Sequence, residues 1–110
     1  MRALTIAGLM LATAAGNAFA DSPPPTPQRQ HDLVRLVRQD CGSCHGMQLR
    51  GGLGPALTPQ TLQDKPAASL VSTILYGRPG TAMPPWKVFL SEAEASWIVD
   101  ALQKGFPDGD

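Results

Sequence analysis

The chain of 110 residues contains only two cysteines, Cys41 and Cys44, and His45 directly follows the second. Two residues separate the cysteines, so a helix would place both thiols on one side, about one turn apart. A domain of this size buries a limited apolar core and often depends on a disulfide, a metal or a cofactor for stability. These three side chains therefore limit the fold more than any other feature of the sequence.

The N-terminal segment indicates the compartment in which the two thiols act. Arg2 precedes an apolar run over residues 3–15, and small residues, Ala18 and Ala20, close the segment. This pattern predicts a secretory signal peptide over residues 1–20 that is cleaved from the mature protein. The alternative is a membrane anchor, but the run is shorter than the roughly 20 apolar residues that cross a bilayer. We therefore expect an exported protein with no membrane anchor after cleavage, located in the periplasm of a bacterium.

A single domain is predicted after the signal peptide. Residues 21–27 are rich in proline and predict a flexible lead-in, and residues 28–107 form the domain itself. The whole chain has nine basic and nine acidic residues, so its formal net charge is zero. Because binding to phosphates needs an excess of basic residues, this balance argues against a nucleic-acid partner. We expect a monomer.

Helical patterns dominate the domain and predict the all-α class. The predicted helices begin at Pro27, Pro66 and Ser91 and end at Asp40, Gly77 and Gly105. Ser91 and Glu94 form a capping box, and the apolar stripe of the third helix comprises Trp97, Ile98, Ala101 and Leu102. Residues 46–64 are predicted to be irregular. A segment of that length without structure is unusual in a small domain unless it wraps something.

Four chemistries are open to the cysteine pair. A structural zinc site needs four ligands, and the only other histidine, His31, lies upstream. A thioredoxin-like dithiol accompanies a βαβ pattern, which this sequence lacks. A structural disulfide remains open because the predicted compartment is oxidising. C-x-x-C-H is also the signature of c-type haem attachment, and the export signal and the wrapping segment favour one covalent haem c held by Cys41 and Cys44, with His45 on its iron.

An iron held by His45 needs a second axial ligand or keeps an open site. Met1 and Met10 leave with the signal peptide, and Met47 is too close in sequence to His45 to reach the opposite face of the ring. Met83 remains, followed by two prolines that stiffen the chain. The alternative is that this methionine only fills a gap in the core. Ligation by histidine and methionine suits electron transfer, so we expect a carrier and not an enzyme.

Three sequence motifs now point to a family. The motif from Cys41 to His45, "GLGP" at 52–55 and "AMPPW" at 82–86 resemble those of a class I monohaem cytochrome c, and the resemblance covers nearly the whole mature chain. It implies three main helices, the first and third crossing, with irregular loops wrapped around one covalent haem. It also implies that the carbonyl of Pro55 accepts a hydrogen bond from Nδ1–H of His45 and fixes the ring.

Other positions follow from the same resemblance. Trp97 matches the aromatic residue usually found where the helices cross, whereas Leu33 and Val37 stand where the family often has a glycine and an aromatic residue. This departure predicts a wider or rotated crossing. We further expect Arg78 and Trp86 to contact the haem propionates.

The chain is also similar to the small cytochromes c-fifty-five-X encoded beside dissimilatory nitrite reductase in denitrifying bacteria. This similarity implies a redox partner in nitrite respiration, with two roles open. The protein delivers electrons to the haem c/haem d1 nitrite reductase, or it is an accessory haem protein that assists maturation of the haem d1 cofactor. Basic residues near the expected haem edge would steer an acidic partner; they are Arg50, Lys65, Arg78 and Lys87. The alternative is that these side chains are simply solvated or bind the propionates.

Overall fold

The computed structural model describes residues 23–108, which are helical and contain no strand. The helices are α1 (Pro27–Leu36), α2 (Gly42–His45), α3 (Pro59–Leu62), α4 (Ala67–Tyr76) and α5 (Glu92–Lys104), with a π-helical turn over Val37–Cys41. The predicted all-α class is confirmed. No helix in this range is long and apolar enough to cross a membrane. The predicted signal peptide lies outside the described residues.

The helix that leads to the cysteines is longer than predicted. The π turn and α2 follow α1 without a break, so the helical backbone continues to His45 and the predicted end at Asp40 is wrong. Gly42 keeps a helical φ of −60°, so the run ends only at Gly46, whose φ is +93°. At the other end Thr26 caps the helix, its hydroxyl accepting a hydrogen bond from the backbone N–H of Arg29 at 3.3 Å.

The segment predicted to be irregular contains one short helix, α3. Pro59 occupies its first turn, and Leu62 at its end is 4% exposed in the core. A helix of four residues is too short to show helical periodicity, which is why hydrophobic spacing did not predict it. The amide of Gln103 on α5 holds this end in place by donating to the carbonyls of Leu62 and Lys65 at 3.2 and 3.0 Å.

Helices α4 and α5 lie where the sequence predicts them. The capping box of α5 has both halves: the Ser91 hydroxyl accepts from the N–H of Glu94 at 3.1 Å, and the Glu94 carboxylate accepts from the N–H of Ser91 at 2.9 Å. The predicted apolar stripe needs correction. The buried residues of α5 are Ala95, Ile98, Val99 and Leu102, and Trp97 and Ala101 are only half-buried. The buried set follows i, i+3, i+4, i+7 spacing, a stripe rotated from the predicted one.

A single apolar core joins elements that are distant in sequence. Its buried members are Leu33, Val37, Leu49, Leu62, Leu75, Leu90, Ala95, Ile98 and Leu102. Leu33 and Val37, the two positions at which the sequence departs from the family pattern, are fully buried in it. The small residue of this cluster is Ala95 of α5, which is also fully buried.

An ion pair links the start of α1 to the start of α5. The Arg29 guanidinium donates to the Glu94 carboxylate, whose side chain is 17% exposed. Partial burial disfavours the charged carboxylate, but hydrogen bonds from Arg29 and from the Ser91 N–H outweigh it, so the pKa of Glu94 lies below its usual value. The folded state therefore binds this proton less tightly than the unfolded state. The resulting stability is present at neutral pH and is lost as the pH falls through the lowered pKa.

We predict that Glu94→Gln lowers the free energy of unfolding at neutral pH by about 1 kcal/mol, because the amide loses the charge that Arg29 faces. The difference should shrink as the pH falls through the lowered pKa of Glu94, because the parent carboxylate then becomes protonated itself. Urea denaturation at neutral and acid pH measures both effects. The control is Glu92→Gln, in the same helical turn but exposed and without an ion pair among residues 23–108. Equal losses in the two variants would assign the effect to the helix dipole instead.

Candidate functional site

The π turn lies directly before the cysteine motif. The N–H of Gly42 donates to the carbonyl of Val37, five residues earlier, and this widens the helix by one residue compared with a regular α turn. Such single turns often occur at functional sites. The consequence here is a change of angular position for every residue from Cys41 onward, so the motif faces a direction that an unbroken α-helix would not give it.

The two cysteines occupy different environments. Cys41 is half-buried against the core and Cys44 is exposed, and both thiols are free. Burial raises the pKa of the Cys41 thiol to about 11, and the charge of Asp40 adds to the shift. The structure therefore places both sulfur atoms within one helical turn without joining them in a disulfide.

A loop of residues 46–57, here called the glycine loop, folds back onto His45. The ring nitrogen Nδ1 of His45 lies 2.6 Å from the carbonyl oxygen of Pro55. A carbonyl only accepts, so Nδ1 carries the proton and donates, and Nε2 is left as the free basic nitrogen. Such a contact fixes both the tautomer and the orientation of an imidazole that binds a metal.

Gly54 lies against the imidazole face. A Cβ atom at this position would come within 2.8 Å of Cε1 and 2.9 Å of Nδ1 of His45. Only a residue without a side chain permits this approach. This glycine belongs to the "GLGP" motif, in which the sequence predicted a role only for Pro55. The spacing of glycines in a sequence does not indicate which side chain the backbone will approach closely.

Backbone hydrogen bonds attach the glycine loop to the motif. The N–H of Gly54 donates to the carbonyl of Cys44, and the N–H of Gly51 donates to the carbonyl of His45, both at 2.8 Å. A Cβ atom at Gly52 would lie 2.8 Å from the Cys44 carbonyl oxygen. The loop and the helix end therefore form one unit, in which close backbone contact sets the position of the imidazole.

Met83 lies in a second irregular segment, residues 77–86, here called the strap. The N–H of Trp86 donates to the carbonyl of Ile74 at 3.0 Å and ties the end of the strap to α4. At its start Gly77 has a φ of +68°, and a Cβ atom there would lie 2.6 Å from the carbonyl oxygen of Met83. The Met83 side chain is half-buried.

Several apolar side chains pack against the core yet remain half-exposed. They are Leu57, Leu70, Val71, Ile74 and Trp86. They come from the glycine loop, from α4 and from the strap, and the N–H of Trp86 ties the strap to α4. Burying such a surface is favourable, so these side chains offer an apolar lining to a bound group.

The two residues expected to contact propionates lie at opposite ends of the strap. The Arg78 side chain is exposed, while the Trp86 ring is half-buried with its centroid 5.7 Å from that of Phe89. Neither side chain forms a hydrogen bond or an ion pair with another described residue. The polar atoms of both therefore remain available to a ligand.

Charge is distributed unevenly although the total is balanced. The basic residues expected near the haem edge are exposed and form no ion pair within residues 23–108: Arg50, Lys65, Arg78 and Lys87. Lys87 instead places Nζ 5.3 Å above the Tyr76 ring. Three carboxylates are paired elsewhere, in Glu94–Arg29, Asp100–Lys104 and Asp108–Arg38.

Comparison with known proteins agrees with this arrangement. Residues 28–100 match the family model for cytochrome c oxidase, cbb3-type, subunit III. Cytochrome c55X of Pseudomonas aeruginosa is 59% identical over 81 residues, which span 74% of this chain and 68% of the relative. The dihydro-heme d1 dehydrogenase of the same organism is 39% identical over 72 residues, which span 66% of this chain but only 15% of that enzyme.

A solved structure shows the same fold. The c-type cytochrome NirC superposes with a TM-score of 0.73 at 57% sequence identity, covering 74% of this chain and 96% of that chain. The identity is high enough for the likeness to extend beyond the fold, and it confirms the class I cytochrome c architecture expected from the motifs. The chain therefore belongs to the c-type cytochrome family that the matching model describes and, within it, to the cytochromes c55X.

Proposed function

We propose that the protein is a periplasmic carrier of single electrons with one covalently attached haem c. The observation that carries this proposal is the fixed His45 ring, whose Nδ1 is bound to Pro55 while Nε2 remains free. Two free thiols stand within one helical turn of it, and half-exposed apolar side chains provide a lining. This donor set fits a c-type haem. When bound, the haem supplies one-electron chemistry between Fe(III) and Fe(II).

His45 and Met83 are the proposed axial ligands. Nε2 of His45 would hold the iron on one side, and the hydrogen bond from Nδ1 to Pro55 strengthens it as a donor. The thioether of Met83 would hold the other side. With both positions filled, no site remains on the iron for a substrate, which favours a carrier over an enzyme.

We predict that Met83→Ala abolishes the weak sulfur-to-iron absorption band of the oxidised holoprotein and lowers its reduction potential markedly, because a thioether ligand stabilises the reduced iron. Absorption spectra and a redox titration measure these effects. Met47→Ala is the control, since the Met47 side chain is 68% exposed and follows the histidine closely. The ligand assignment fails if the band persists in Met83→Ala or disappears in Met47→Ala.

Nitrite reductase is the proposed electron acceptor, and basic residues on the surface of this protein are proposed to attract it. Of the four exposed basic residues named above, Arg50 lies in the glycine loop, Arg78 and Lys87 lie in or next to the strap, and Lys65 precedes α4. Three carboxylates are neutralised in ion pairs elsewhere. Unpaired charges of one sign create a field beyond the molecular surface, and such a field raises the association rate with an acidic partner. Screening acts over about 8 Å at physiological ionic strength, so the effect should depend on salt.

We predict that Arg50→Glu combined with Lys87→Glu slows electron transfer to nitrite reductase by about tenfold at low ionic strength and much less at high ionic strength. Stopped-flow mixing of the reduced protein with the reductase measures the rate. Arg35→Glu combined with Lys104→Glu changes the net charge equally on α1 and α5, and serves as the control. If the two double variants are slowed equally, net charge and not this surface controls the encounter.

A second candidate function rests on the similarity to dihydro-heme d1 dehydrogenase. A segment similar to this chain accounts for 15% of that enzyme. Its name describes the removal of two hydrogen atoms from dihydro-haem d1, which releases two electrons and two protons. Two oxidised molecules of a one-electron carrier would accept those electrons. In this role the protein assists maturation of the haem d1 cofactor.

We predict for this second role that the dehydrogenase and its dihydro-haem substrate reduce two equivalents of the oxidised protein for each substrate molecule converted. The growth of the reduced-haem absorption bands measures the stoichiometry and the rate. Omitting the dehydrogenase is the control and should leave the protein oxidised. A protein that stays oxidised in the complete mixture but exchanges electrons with nitrite reductase would exclude the maturation role and leave the carrier role standing.

A further inference from the structure

We propose that the hydroxyl of Thr81 is a latch on the strap that sets how firmly Met83 is held on the iron. This inference rests on the proposed ligation by Met83. Thr81 is a positioning residue in it, because the hydroxyl acts through the backbone of Met83 and not on the iron itself.

The strap begins with a tight turn, Arg78-Pro79-Gly80-Thr81. The N–H of Thr81 donates to the carbonyl of Arg78 at 3.0 Å, which closes the turn. Gly80, the third residue, has a φ of +80°, and proline occupies the second position. Both features are typical of a type II turn, in which proline presets one dihedral angle and glycine tolerates the positive one. The turn therefore places the Thr81 side chain at its closing end.

The Thr81 hydroxyl connects this turn to the proposed ligand. It donates to the carbonyl of Arg78 at 2.7 Å and accepts from the backbone N–H of Met83 at 3.3 Å. The N–H of Arg78 donates to the carbonyl of Met83 at 3.1 Å and closes the segment into a ring. Both backbone polar groups of Met83 are thus bound within the strap, and one of them depends on a side chain.

No other group among residues 23–108 replaces this hydroxyl. Pro84 and Pro85 have no N–H to donate, and the next donor, that of Trp86, is used on α4. Across residues 23–108 no other side chain forms a hydrogen bond to the backbone of residues 78–85. A Cβ atom at Gly80 would meet no atom within 4 Å, so packing against the core does not support the tip of the turn. Its own hydrogen bonds hold it.

Exposure makes the latch easy to open without disturbing the core. Thr81 is exposed, and water competes for both of its hydrogen bonds. Removing the hydroxyl should raise the population in which the strap is loose and Met83 has left the iron. A small ligand that binds the iron only in that population reports on the equilibrium, because its apparent affinity is proportional to the competent fraction.

The test uses the oxidised holoprotein and imidazole, a neutral base that binds a haem iron once the methionine has left. Titration is followed by loss of the sulfur-to-iron band. Thr81→Val keeps the branched shape but removes both hydrogen bonds, and should raise the apparent affinity for imidazole about five- to tenfold. Thr81→Ser keeps the hydroxyl and should stay within about twofold of the parent.

Thr61→Val is the matched control. Thr61 is also exposed, and its hydroxyl pairs with that of Thr58 at 3.0 Å, outside the strap. The affinity of Thr61→Val for imidazole should equal that of the parent protein. The latch is overturned if Thr81→Val binds imidazole as the parent does, or if Thr81→Ser is loosened as much as Thr81→Val. A parent protein that lacks the sulfur-to-iron band would instead overturn the ligation by Met83.

Discussion

The hydrogen bond from His45 Nδ1 to the carbonyl of Pro55, at 2.6 Å, is the contact on which the proposed site depends. It requires the glycine loop to pass directly over the imidazole. Only a residue without a side chain, here Gly54, fits between the loop and the ring. It also requires the helix to continue to His45 so that the ring meets the returning backbone. The length of the helix, the glycines of the loop and the tautomer of the imidazole thus all meet one geometric requirement. Nε2 of His45 must be free of a proton and must point in a fixed direction.

The two sides of the proposed iron site are built differently. His45 sits at the end of a long helix and is bound to a loop whose Leu49 is 3% exposed in the core. Met83 sits on a strap whose turn is exposed and closed by its own hydrogen bonds. Local opening requires the least free energy where few apolar contacts are lost. In the proposed ligation, Met83 would therefore leave the iron more easily than His45.

Much of this arrangement could be predicted from the sequence because it depends on local signals. The spacing of Cys41, Cys44 and His45, the capping box at Ser91 and Glu94, and the helical period of α4 act within a few residues. What was missed depends on tertiary contact or on an element too short to give a local signal. The helix continues past Asp40 because the motif must meet the loop, α3 is too short to show a period, and the buried face of α5 is chosen by its neighbours.

The distribution of charge depends on which charged side chains have a structural role. Glu94 is paired because it also caps α5, and Asp108 is paired because Arg38, which lies before the motif, donates to the carbonyls of Phe106 and Pro107 at 3.1 and 2.7 Å. Two carboxylates thus hold the start of α5 and the C-terminal segment, whereas Arg50, Arg78 and Lys87 form no ion pair within residues 23–108. A protein with no net charge can therefore still carry unpaired basic side chains in the glycine loop and along the strap, and these create a local positive field.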